Sequence, residues 1–311
     1  MREKTLFIVN PLSGAGHCGK LWHKHEQDIL ALTNHSEVVI TQAPLHATEL
    51  ARNAIKSGVQ TIIAVGGDGT VNEVVNGFYE NELLLDTEAV LGVLPSGTGC
   101  DFVRNLNLPA NIVDACRFLL HSTVNLCDVG LVRFDSGKQK TRHFINVADV
   151  GLGGVVAAEI NISNKRLGAK LSFLLATLRA FYQYKPSPMQ MFVDGSPIQM
   201  GDKQLIIAVA NGRFFGAGMC VGEQAKLDDG QFDVVAADDM GLLELIPALM
   251  ALHSGKTPKT ARIRHVQGKD IRIVCEQDVG VDLDGELVGF GSVTISVLSK
   301  QIRLLGLAAK K

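Results

Sequence analysis

The sequence lacks the features that define several large classes of protein. Its six cysteines are scattered along 311 residues without a Cys-x-x-Cys pair, which argues against structural zinc and a disulfide framework and favours a reducing compartment. An excess of charge is also missing, since 30 Lys and Arg residues face 32 Asp and Glu residues. A chain with so little net charge has no field that attracts polyanions. We therefore expect no nucleic-acid partner.

Long apolar runs are missing as well. The two longest candidates, residues 171–181 and 242–252, are both interrupted by polar residues or proline and are far shorter than the roughly 20 residues that a membrane span needs. The apolar stretch Thr5–Val9 is too short for the core of a signal peptide. The sequence thus predicts a cytoplasmic protein whose membrane contact, if it has one, is peripheral and at the inner surface.

The most informative stretch that is present is the string Gly-Gly-Asp-Gly-Thr at residues 66–70. The apolar residues 61–65 before it indicate a buried strand, and a helical pattern begins at Thr70. Glycines at such a junction let the backbone approach a ligand, and the first amides of the helix point at it. This is the geometry of a phosphate site. A carboxylate at Asp68 then requires a divalent cation or a donor network beside the phosphate. The alternative is a tight turn that binds nothing.

The first half of the chain repeats this strand, glycine and helix arrangement. Residues 10–16 follow the first strand and residues 95–101 follow the fourth, and both stretches are rich in glycine. Strands that alternate with helices predict a parallel sheet of the Rossmann type, with all three glycine corners at the carboxyl ends of their strands. We expect one site to gather them. The predicted strands are 5–9, 37–40, 61–65 and 89–94, and the predicted helices are 19–32, 45–56 and 70–79.

The first corner also matches two other motifs, and both fail in context. Residues 14–19 have the glycine spacing of a dinucleotide fingerprint, and residues 14–20 match most of a P-loop. The P-loop requires Ser or Thr after its lysine, where this chain has Leu21. The dinucleotide motif requires an acid at the end of the second strand, where this chain has Thr41. We expect neither motif to operate, although the glycines still suit a phosphate loop.

The second half is predicted to be rich in antiparallel strands and to form a sandwich-like domain. The change in pattern places the domains at residues 1–128 and 129–311, and the last strands could return to the first domain. The predicted helices lie near 155–184 and 242–253. The predicted strands are 124–134, 143–150, 189–193, 205–210, 232–236, 270–275, 279–287 and 292–298.

Two acidic groups occur in this half. The Asp-Asp-Gly sequence at residues 228–230 has, from spacing alone, the pattern of an ordinary turn. In the second group, Asp282, Asp284 and Glu286 would share one face of an extended strand, where like charges raise a pKa or recruit a cation. A carboxylate placed there could accept a proton from a hydroxyl group. Because Asp-Gly is a strong hairpin signal, a hairpin with a solvated edge is an equal alternative.

Taken in order, these motifs resemble those of bacterial lipid kinases of the diacylglycerol kinase catalytic family, which includes relatives of sphingosine kinases. The resemblance covers nearly the full length of the chain. It implies a Mg²⁺-dependent enzyme that transfers the γ-phosphoryl group of ATP to a lipid hydroxyl, with diacylglycerol or a related lipid as acceptor. It also implies peripheral membrane contact and allows a homodimer. The matching residues are 10–14, Thr41, 66–72, 95–101, Arg104, 128–130, 146–151, 228–230 and 284–286.

The resemblance also assigns roles to individual residues. It implies that Asp284 and Glu286 face the acceptor hydroxyl, with one of them as general base, and that Asp68 belongs to the catalytic group. It places Mg²⁺ at the side chain of Asp229 and the main-chain carbonyls of Lys226 and Gln231. The residues implied for ATP are Asn10, Pro11, Leu12, Ser13, Gly14, Thr41, Gly66, Gly67, Asp68, Gly69, Thr70, Val71, Asn72 and Thr98.

The chain departs from the family pattern at Cys100, where the family usually has Asn, and at residues 216–219, where three consecutive glycines are usual.

Three other functions compete with a lipid kinase. An NAD kinase shares the Gly-Gly-Asp-Gly-Thr string but lacks the Asn-Pro-x-Ser-Gly and Asp-Gly-Glu combination. The other two are a nucleotide-binding regulator without catalysis and an NAD(P)-dependent oxidoreductase, which Thr41 disfavours. Replacing Asp284 or Glu286 with alanine is expected to abolish turnover and to leave the fold intact.

Overall fold

A computed structural model describes residues 4–33, 35–80, 82–97, 99–136, 141–162 and 169–307. The helices are α1 (His17–Leu30), α2 (His46–Lys56), α3 (Asp68–Gly77), α4 (Ile112–His121), α5 (Leu152–Ile162), α6 (Ala169–Gln183) and α7 (Leu242–His253), with one 3₁₀ turn at Phe102–Asn105. The first nine strands are β1 (Thr5–Val9), β2 (Ser36–Ile40), β3 (Thr61–Gly66), β4 (Tyr79–Glu80), β5 (Leu83–Leu84), β6 (Val90–Pro95), β7 (Val124–Phe134), β8 (Thr141–Phe144) and β9 (Val147–Gly151).

The remaining strands all follow α6. They are β10 (Met189–Val193), β11 (Ser196–Ile198), β12 (Gln204–Ala210), β13 (Phe214–Phe215), β14 (Met219–Cys220), β15 (Phe232–Asp238), β16 (Ile263–Gly268), β17 (Asp270–Cys275), β18 (Gly280–Leu283), β19 (Glu286–Phe290) and β20 (Val293–Leu305). The chain divides into two compact units. Unit 1 comprises Met1–Cys127 with Lys300–Lys311, and unit 2 comprises Asp128–Ser299.

Unit 1 is built on a parallel sheet. The end of β20 and strands β6, β3, β1 and β2 lie side by side in that order. Every residue of β1 and β3 is buried, as in parallel sheets covered by helices. Trp22 and Ile29 of α1 pack with Phe7 and Leu94 of the sheet in one core. Because β6, β3 and β1 are neighbours, the segments that follow their carboxyl ends share one edge of the sheet.

Unit 2 is an antiparallel β-sandwich. Six strands form one sheet in the order β16-β15-β12-β9-β18-β19, while β11, β10, β17 and the start of β20 form another. Alternate residues of β12 face opposite sides, as strand geometry requires. Ile207 and Val209 lie in the core that both sheets share, whereas Ala208 and Ala210 lie in a second core with Val156 of α5. The predicted fold class is confirmed in both units.

The helices of unit 2 correct one prediction. The sequence pattern predicted a single long helix near residues 155–184, but the structure has α5 and α6, which pack against each other. A single straight helix cannot make such a contact, so the pattern merged two helices of similar apolar character. No helix within the described residues is long and apolar enough to cross a membrane.

Helix α2 begins without a side-chain cap of its own, because its N-cap residue Leu45 has φ 65° and makes no capping bond. The carboxylate of Glu73 in α3 accepts the N–H groups of Leu45 at 2.9 Å and Ala47 at 3.1 Å. The Thr48 hydroxyl donates to the Glu73 carbonyl at 2.8 Å. A carboxylate at a helix N-terminus satisfies free amides and interacts favourably with the helix dipole. Glu73 therefore fixes α2 on α3.

Replacing Glu73 with alanine should lower the free energy of unfolding by about 1–3 kcal/mol, since two helix-start amides lose their acceptor. Urea denaturation monitored by circular dichroism measures this change. Glu26→Ala on α1 is the control, because Glu26 has the same charge but lies outside the first turn of its helix and caps no helix start; a change within about 0.5 kcal/mol is expected. Equal losses in the two variants would refute the capping role of Glu73.

Candidate active site

The three glycine corners of unit 1 meet in space. A Cβ added to Gly97 would lie 2.5 Å from the Cα of Gly67, and one added to Gly67 would lie 3.1 Å from Oγ of Ser13. Gly14 has φ 61°, and a Cβ there would lie 3.0 Å from the Ser96 carbonyl oxygen. A Cβ does not fit at 2.5 Å and is crowded at 3.0–3.1 Å, so glycine lets the backbones of the three corners approach each other closely. The result is a surface lined by main chain.

Polar side chains connect the first two corners. Nδ2 of Asn10 donates to Oγ1 of Thr70 at 3.0 Å, and Oδ1 of Asn10 accepts the N–H of Leu12 at 3.1 Å. Thr41 follows the neighbouring strand, where its N–H donates to the Val9 carbonyl at 2.9 Å. The first-corner residues, Thr41 and Thr70 thus lie at the same sheet edge.

Other residues expected to bind ATP are placed differently. Val71 and Asn72 are buried within α3, where Nδ2 of Asn76 donates to Oδ1 of Asn72 at 3.2 Å. The Pro11 carbonyl accepts the N–H of Gly19, and the side chain of Leu12 is 77% exposed. Thr98 lies outside the described residues. Among the residues assigned to ATP, the glycines, Asn10, Ser13, Thr41 and Thr70 are those the fold brings together.

The carboxylate of Asp68 holds the third corner. Its Oδ2 accepts the N–H of Asp101 at 3.0 Å and its Oδ1 accepts the N–H of Phe102 at 2.9 Å. Burial raises the pKa of Asp68, and these amide bonds together with the charge of Arg104 act in the opposite direction. Arg104 also pairs with Asp101 at 3.1 Å. The sequence predicted either a divalent cation or a network of hydrogen-bond donors beside Asp68. The donors that the structure shows are backbone amides of the neighbouring corner.

Cys100 occupies a position that suits asparagine. Its φ is 49°, in the left-handed region that Asn tolerates better than other non-glycine residues. The N–H of Gly97 donates to Sγ of Cys100 at 3.2 Å, a bond that an amide oxygen could also accept. Burial and the charge of Asp68 raise the pKa of the Cys100 thiol to about 12, so the thiol stays protonated at neutral pH.

Cys100→Asn should raise the free energy of unfolding by about 0.5–1.5 kcal/mol, because it relieves left-handed strain and replaces a weak sulfur acceptor with oxygen. Differential scanning calorimetry checks this. The matched variant Cys116→Asn should instead destabilise, since Cys116 is fully buried in the core of unit 1 and gains an unpaired polar group. A destabilised Cys100→Asn variant would contradict our reading of this corner.

In unit 2 the acidic group at residues 282–286 forms a hairpin, which corrects the prediction of one shared face. Strands β18 and β19 are joined by Asp284 and Gly285, both with positive φ, and Leu283 is opposite Glu286. The edge strand β19 is partly exposed, whereas Asp282 and Asp284 are only 5% and 6% exposed, so two of the three acids lie away from the solvated edge. An Asp-Gly turn reverses the chain between Asp282 and Glu286, so the simple two-residue alternation does not apply.

Asp284 organises the turn between β8 and β9. Its Oδ1 accepts the N–H groups of Asn146 at 2.9 Å and Val147 at 3.0 Å, and its Oδ2 accepts the N–H of Ile145 at 3.0 Å. Its own N–H donates to the Val147 carbonyl at 2.9 Å. All of these bonds are buried. Alanine at this position would leave three buried amides without their acceptor, which argues against the expected intact fold.

Asp282 lies next to a second buried acid that the sequence did not single out. In the sheet register Asp282 is directly opposite Asp149 of β9, and opposite residues of antiparallel strands have Cβ atoms about 5 Å apart. Oδ1 of Asp282 accepts the N–H of Gly285 at 2.9 Å. Within the described part of the chain, Oδ2 of Asp282 and Oδ1 of Asp149 are buried and have no hydrogen-bond partner.

Burial is the main cause of the raised pKa values of Asp282 and Asp149. It raises the pKa of Asp282 to about 7, with the charges of Asp284 and Glu286 adding to the effect. The pKa of Asp149 is also raised well above its ordinary value, first by burial and then by Asp282, while the Gly153 N–H at the start of α5 lowers it. A Cβ on Gly153 would lie 2.1 Å from the Asp149 carboxylate. Glycine there is what lets the helix start approach the acid.

The remaining hairpin acid, Glu286, is half-buried and paired. Nη2 of Arg142 in β8 donates to Oε2 of Glu286 at 2.9 Å. Asp149 could have been found from the sequence, because it is a single acid in an otherwise apolar strand of small and β-branched residues. Its pairing with Asp282 could not, since it depends on the register of strands that are far apart in the sequence.

The Asp-Asp-Gly turn is attached to Asp128. Oδ2 of Asp128 accepts the N–H of Gly230 at 2.6 Å, and the Asp128 N–H donates to the Leu227 carbonyl at 2.6 Å. Oδ1 of Asp229 accepts the N–H of Gln231 at 3.2 Å. Burial raises the pKa of Asp229, and the Asp128 charge adds to this. Among the described residues no cluster of three or more His, Cys, Asp or Glu side chains is arranged to hold a metal.

The implied donor set at this turn uses one carboxylate, that of Asp229, and the main-chain carbonyls of Lys226 and Gln231. Oxygen donors of this kind suit Mg²⁺. Repulsion between the carboxylates of Asp229 and Asp128 would also be reduced by a bound cation. The residues at the turn therefore fit a magnesium ion.

The fold has two domains with glycine corners gathered at one sheet edge of unit 1, and comparison with known families identifies its class. Residues 4–132 match the diacylglycerol kinase catalytic domain, and residues 146–306 match the YegS C-terminal NAD kinase beta sandwich-like domain. The chain belongs to this diacylglycerol kinase-like family, which confirms the resemblance found in the motifs. The family and the fold support a kinase.

Similar proteins span nearly the whole chain. A diacylglycerol kinase of Staphylococcus saprophyticus is 27% identical, covering 93% of this chain and 90% of its own length, and one of Staphylococcus epidermidis is 29% identical, covering 93% and 87%. A crystal structure described as that of a putative diacylglycerol kinase from Bacillus anthracis superposes with a TM-score of 0.76 at 26% identity. The match covers 97% of this chain and 96% of the other. A second, of a diacylglycerol kinase from the same organism, has a TM-score of 0.70 at 24% identity, with the same coverage.

Asp284→Ala should lower the free energy of unfolding of unit 2 by roughly 3 kcal/mol or more, because three buried amides lose their acceptor. The chain supplies a matched control in Asp194, which also precedes glycine in a positive-φ hairpin and accepts the Lys269 and Asp270 N–H groups from an exposed position. Asp194→Ala should cost about 1 kcal/mol. Chemical denaturation of both variants measures the difference, and equal losses would contradict the role given to Asp284.

Proposed function

We propose that the protein transfers the γ-phosphoryl group of ATP to the hydroxyl group of a lipid, diacylglycerol or a closely related lipid. The observation that carries this proposal is the apposition of Gly67 and Gly97 beside Ser13, a surface of main chain that suits phosphate groups. The family match supports the same conclusion. The proposal assigns the nucleotide to unit 1 and the acceptor hydroxyl to unit 2.

On the nucleotide side, the glycine corners offer amides and small polar side chains to the phosphates. Gly67 and Gly97 present no side chain of their own to a phosphate, Oγ of Ser13 lies beside Gly67, and the start of α3 contributes its dipole and free amides. The hydrogen bonds of Asp68 to the third corner keep these donors in place before the ligand arrives. Phosphoryl transfer depends mainly on such positioning and on charge neutralisation.

On the acceptor side, the hairpin and β9 bring carboxylates together. In the proposed reaction the lipid hydroxyl oxygen forms a bond to the γ-phosphorus, the bond from phosphorus to the ADP oxygen breaks, and the hydroxyl proton passes to a carboxylate. Asp284 and Glu286 position this group, and Asp282 is the acid with both a near-neutral pKa and an unpartnered oxygen. A base whose pKa lies near the working pH is the most effective proton acceptor.

A magnesium ion would be held by Asp229 with the carbonyls of Lys226 and Gln231, and it would supply neutralisation of phosphate charge. The protein's own part is to keep that turn in position, which Asp128 does through its bonds to Gly230 and Leu227.

The function is tested by incubating the protein with labelled ATP and Mg²⁺ together with diacylglycerol, phosphatidylglycerol, sphingosine or NAD. We expect label in diacylglycerol or a close analogue. Label in NAD alone would replace the proposal with an NAD kinase. ATP binding without transfer to any acceptor would identify a regulator.

The pH dependence of turnover tests the proton acceptor. Since Asp282 must lose its proton before it can accept one, kcat/KM should rise about tenfold per pH unit below about pH 7 and level off above it. In Asp282→Asn the activity should fall by roughly 100-fold or more and the rising limb should disappear. Asp239→Asn, an exposed acid outside the site, should keep the wild-type profile. An unchanged profile in Asp282→Asn would rule out Asp282 as the base.

The same substitution should have the opposite effect on stability. The pKa of Asp282 is raised on folding, from about 4 in the unfolded chain to about 7. The wild type therefore loses stability as the pH rises through this window, whereas Asp282→Asn does not titrate. We expect the variant to gain roughly 2–4 kcal/mol relative to wild type between pH 4 and pH 8. Urea denaturation across this range measures the gain, and a constant difference would show that Asp282 ionises normally.

A further inference from the structure

Helix α7 exposes an apolar face that unit 2 does not cover. Leu245 and Leu249 face inward, where they pack in the helix-side core of the six-stranded sheet. Leu243 and Met250, on the outer side, are 91% and 68% exposed, and Leu242 and Ile246 are also exposed. A surface helix of a water-soluble domain normally carries polar residues outside.

These side chains form one continuous surface. At 100° per residue, Leu242, Ile246, Met250 and Leu243 fall within a single arc of about 100° on the helix. Isolated exposed apolar side chains are ordinary, but a contiguous set marks an interaction site. We call these four residues the α7 surface. The only charged residue of the helix, Glu244, lies outside this arc.

The chain beyond the helix is strongly basic. From residue 254 to residue 269 it contains five Lys and Arg residues and no Asp or Glu, although the whole chain has a net charge of −2. Arg262 pairs with Glu244 at 3.0 Å and Arg264 lies 3.9 Å from Asp238, so these two charges are partly offset. Lys259 lies near enough to Glu223 to lower its pKa, after the larger effect of Thr257.

Lys256 is exposed just past the C-terminal end of α7, where its N–H donates to the Ala251 carbonyl. No ion pair joins Lys256 to an acid within the residues that the structure describes. Exposed leucine and methionine side chains beside lysines form the combination that inserts into the headgroup region of an anionic bilayer. A protein partner would need no such bias toward positive charge.

We propose that the α7 surface, together with Lys256 and Lys259, docks the protein on an anionic lipid bilayer. The apolar side chains enter the boundary between headgroups and acyl chains, and the lysines contact lipid phosphates. Helix α7 is too short to span a membrane, so the contact is reversible. This inference rests on the proposed function in one respect, namely that the acceptor resides in a bilayer.

The test measures binding separately from turnover. The purified chain is sedimented, without ATP, with vesicles of phosphatidylcholine alone or with added phosphatidylglycerol. We expect binding to the anionic vesicles and a loss of roughly tenfold or more in the partition coefficient for Leu243→Asp combined with Met250→Asp. Leu83→Asp is the matched control, because Leu83 is 73% exposed in unit 1, and it should bind as wild type.

Charge is tested with Lys256→Glu against Lys24→Glu, which reverses an exposed lysine on α1. Only Lys256→Glu should weaken binding, and its effect should shrink as salt is added. Because all the replaced side chains are exposed, circular dichroism is expected to show unchanged folding. Equal binding of the double variant and wild type, or no wild-type binding to anionic vesicles, overturns the proposal. So does a wild-type dimer that becomes a monomer in the double variant, since the α7 surface would then join two copies.

Turnover separates this proposal from the proposed function. The double variant should phosphorylate a dispersed short-chain diacylglycerol at the wild-type rate and a vesicle-embedded long-chain one much more slowly. Vesicle binding without turnover of either lipid would refute the proposed function and leave the docking surface standing. Wild-type turnover of both lipids by the double variant would refute the docking surface alone.

Discussion

The hydrogen bonds that the Asp68 carboxylate accepts from Asp101 and Phe102 are the constraint on which unit 1 depends. They join the corner after β3 to the corner after β6. Without them, two glycine-rich segments with few side chains would have little to fix their conformation, because glycine loses more entropy on ordering than any other residue. The close approach of the two corners therefore requires an acceptor for their amides, and a carboxylate is a strong one.

The same arrangement recurs elsewhere in the chain. Glu73 accepts two amides at the start of α2, Asp128 accepts the amide of Gly230, and Asp284 accepts three amides of the turn before β9. Asp128 and Asp284 also belong to segments that match the family motifs, whereas Glu73 directly follows one. In each case the carboxylate accepts hydrogen bonds from backbone amides. These amides lie in turns or at helix starts, where no helix or sheet partner is present for them.

The sequence was sufficient to predict the strands and the glycine corners that follow them. It was insufficient to predict contacts that depend on sheet register. An apolar strand that ends in glycine, such as β3, can be predicted locally because strand burial and glycine leave direct marks in the composition. The meeting of Gly67 with Gly97 followed from the parallel order of the strands. The pairing of Asp282 with Asp149 depends on sheet register, and the Asp-Gly turn at residue 284 removed the two-residue alternation on which the shared-face interpretation relied.

The hydrogen bonds that a carboxylate accepts distinguish acids that stabilise the backbone from acids that could take part in a reaction. An acid whose oxygens accept several amides is stabilised as a carboxylate but has little capacity left for a proton from a substrate. Asp284 is of that kind. Asp149 and Asp282 are buried with an unpartnered oxygen each, an arrangement that costs stability and that a fold retains only where something compensates for it. An acceptor hydroxyl would donate to such an oxygen and supply the missing hydrogen bond. In the proposed reaction, the near-neutral pKa of Asp282 therefore suits this acid, rather than Asp149, to receive the proton of the acceptor hydroxyl.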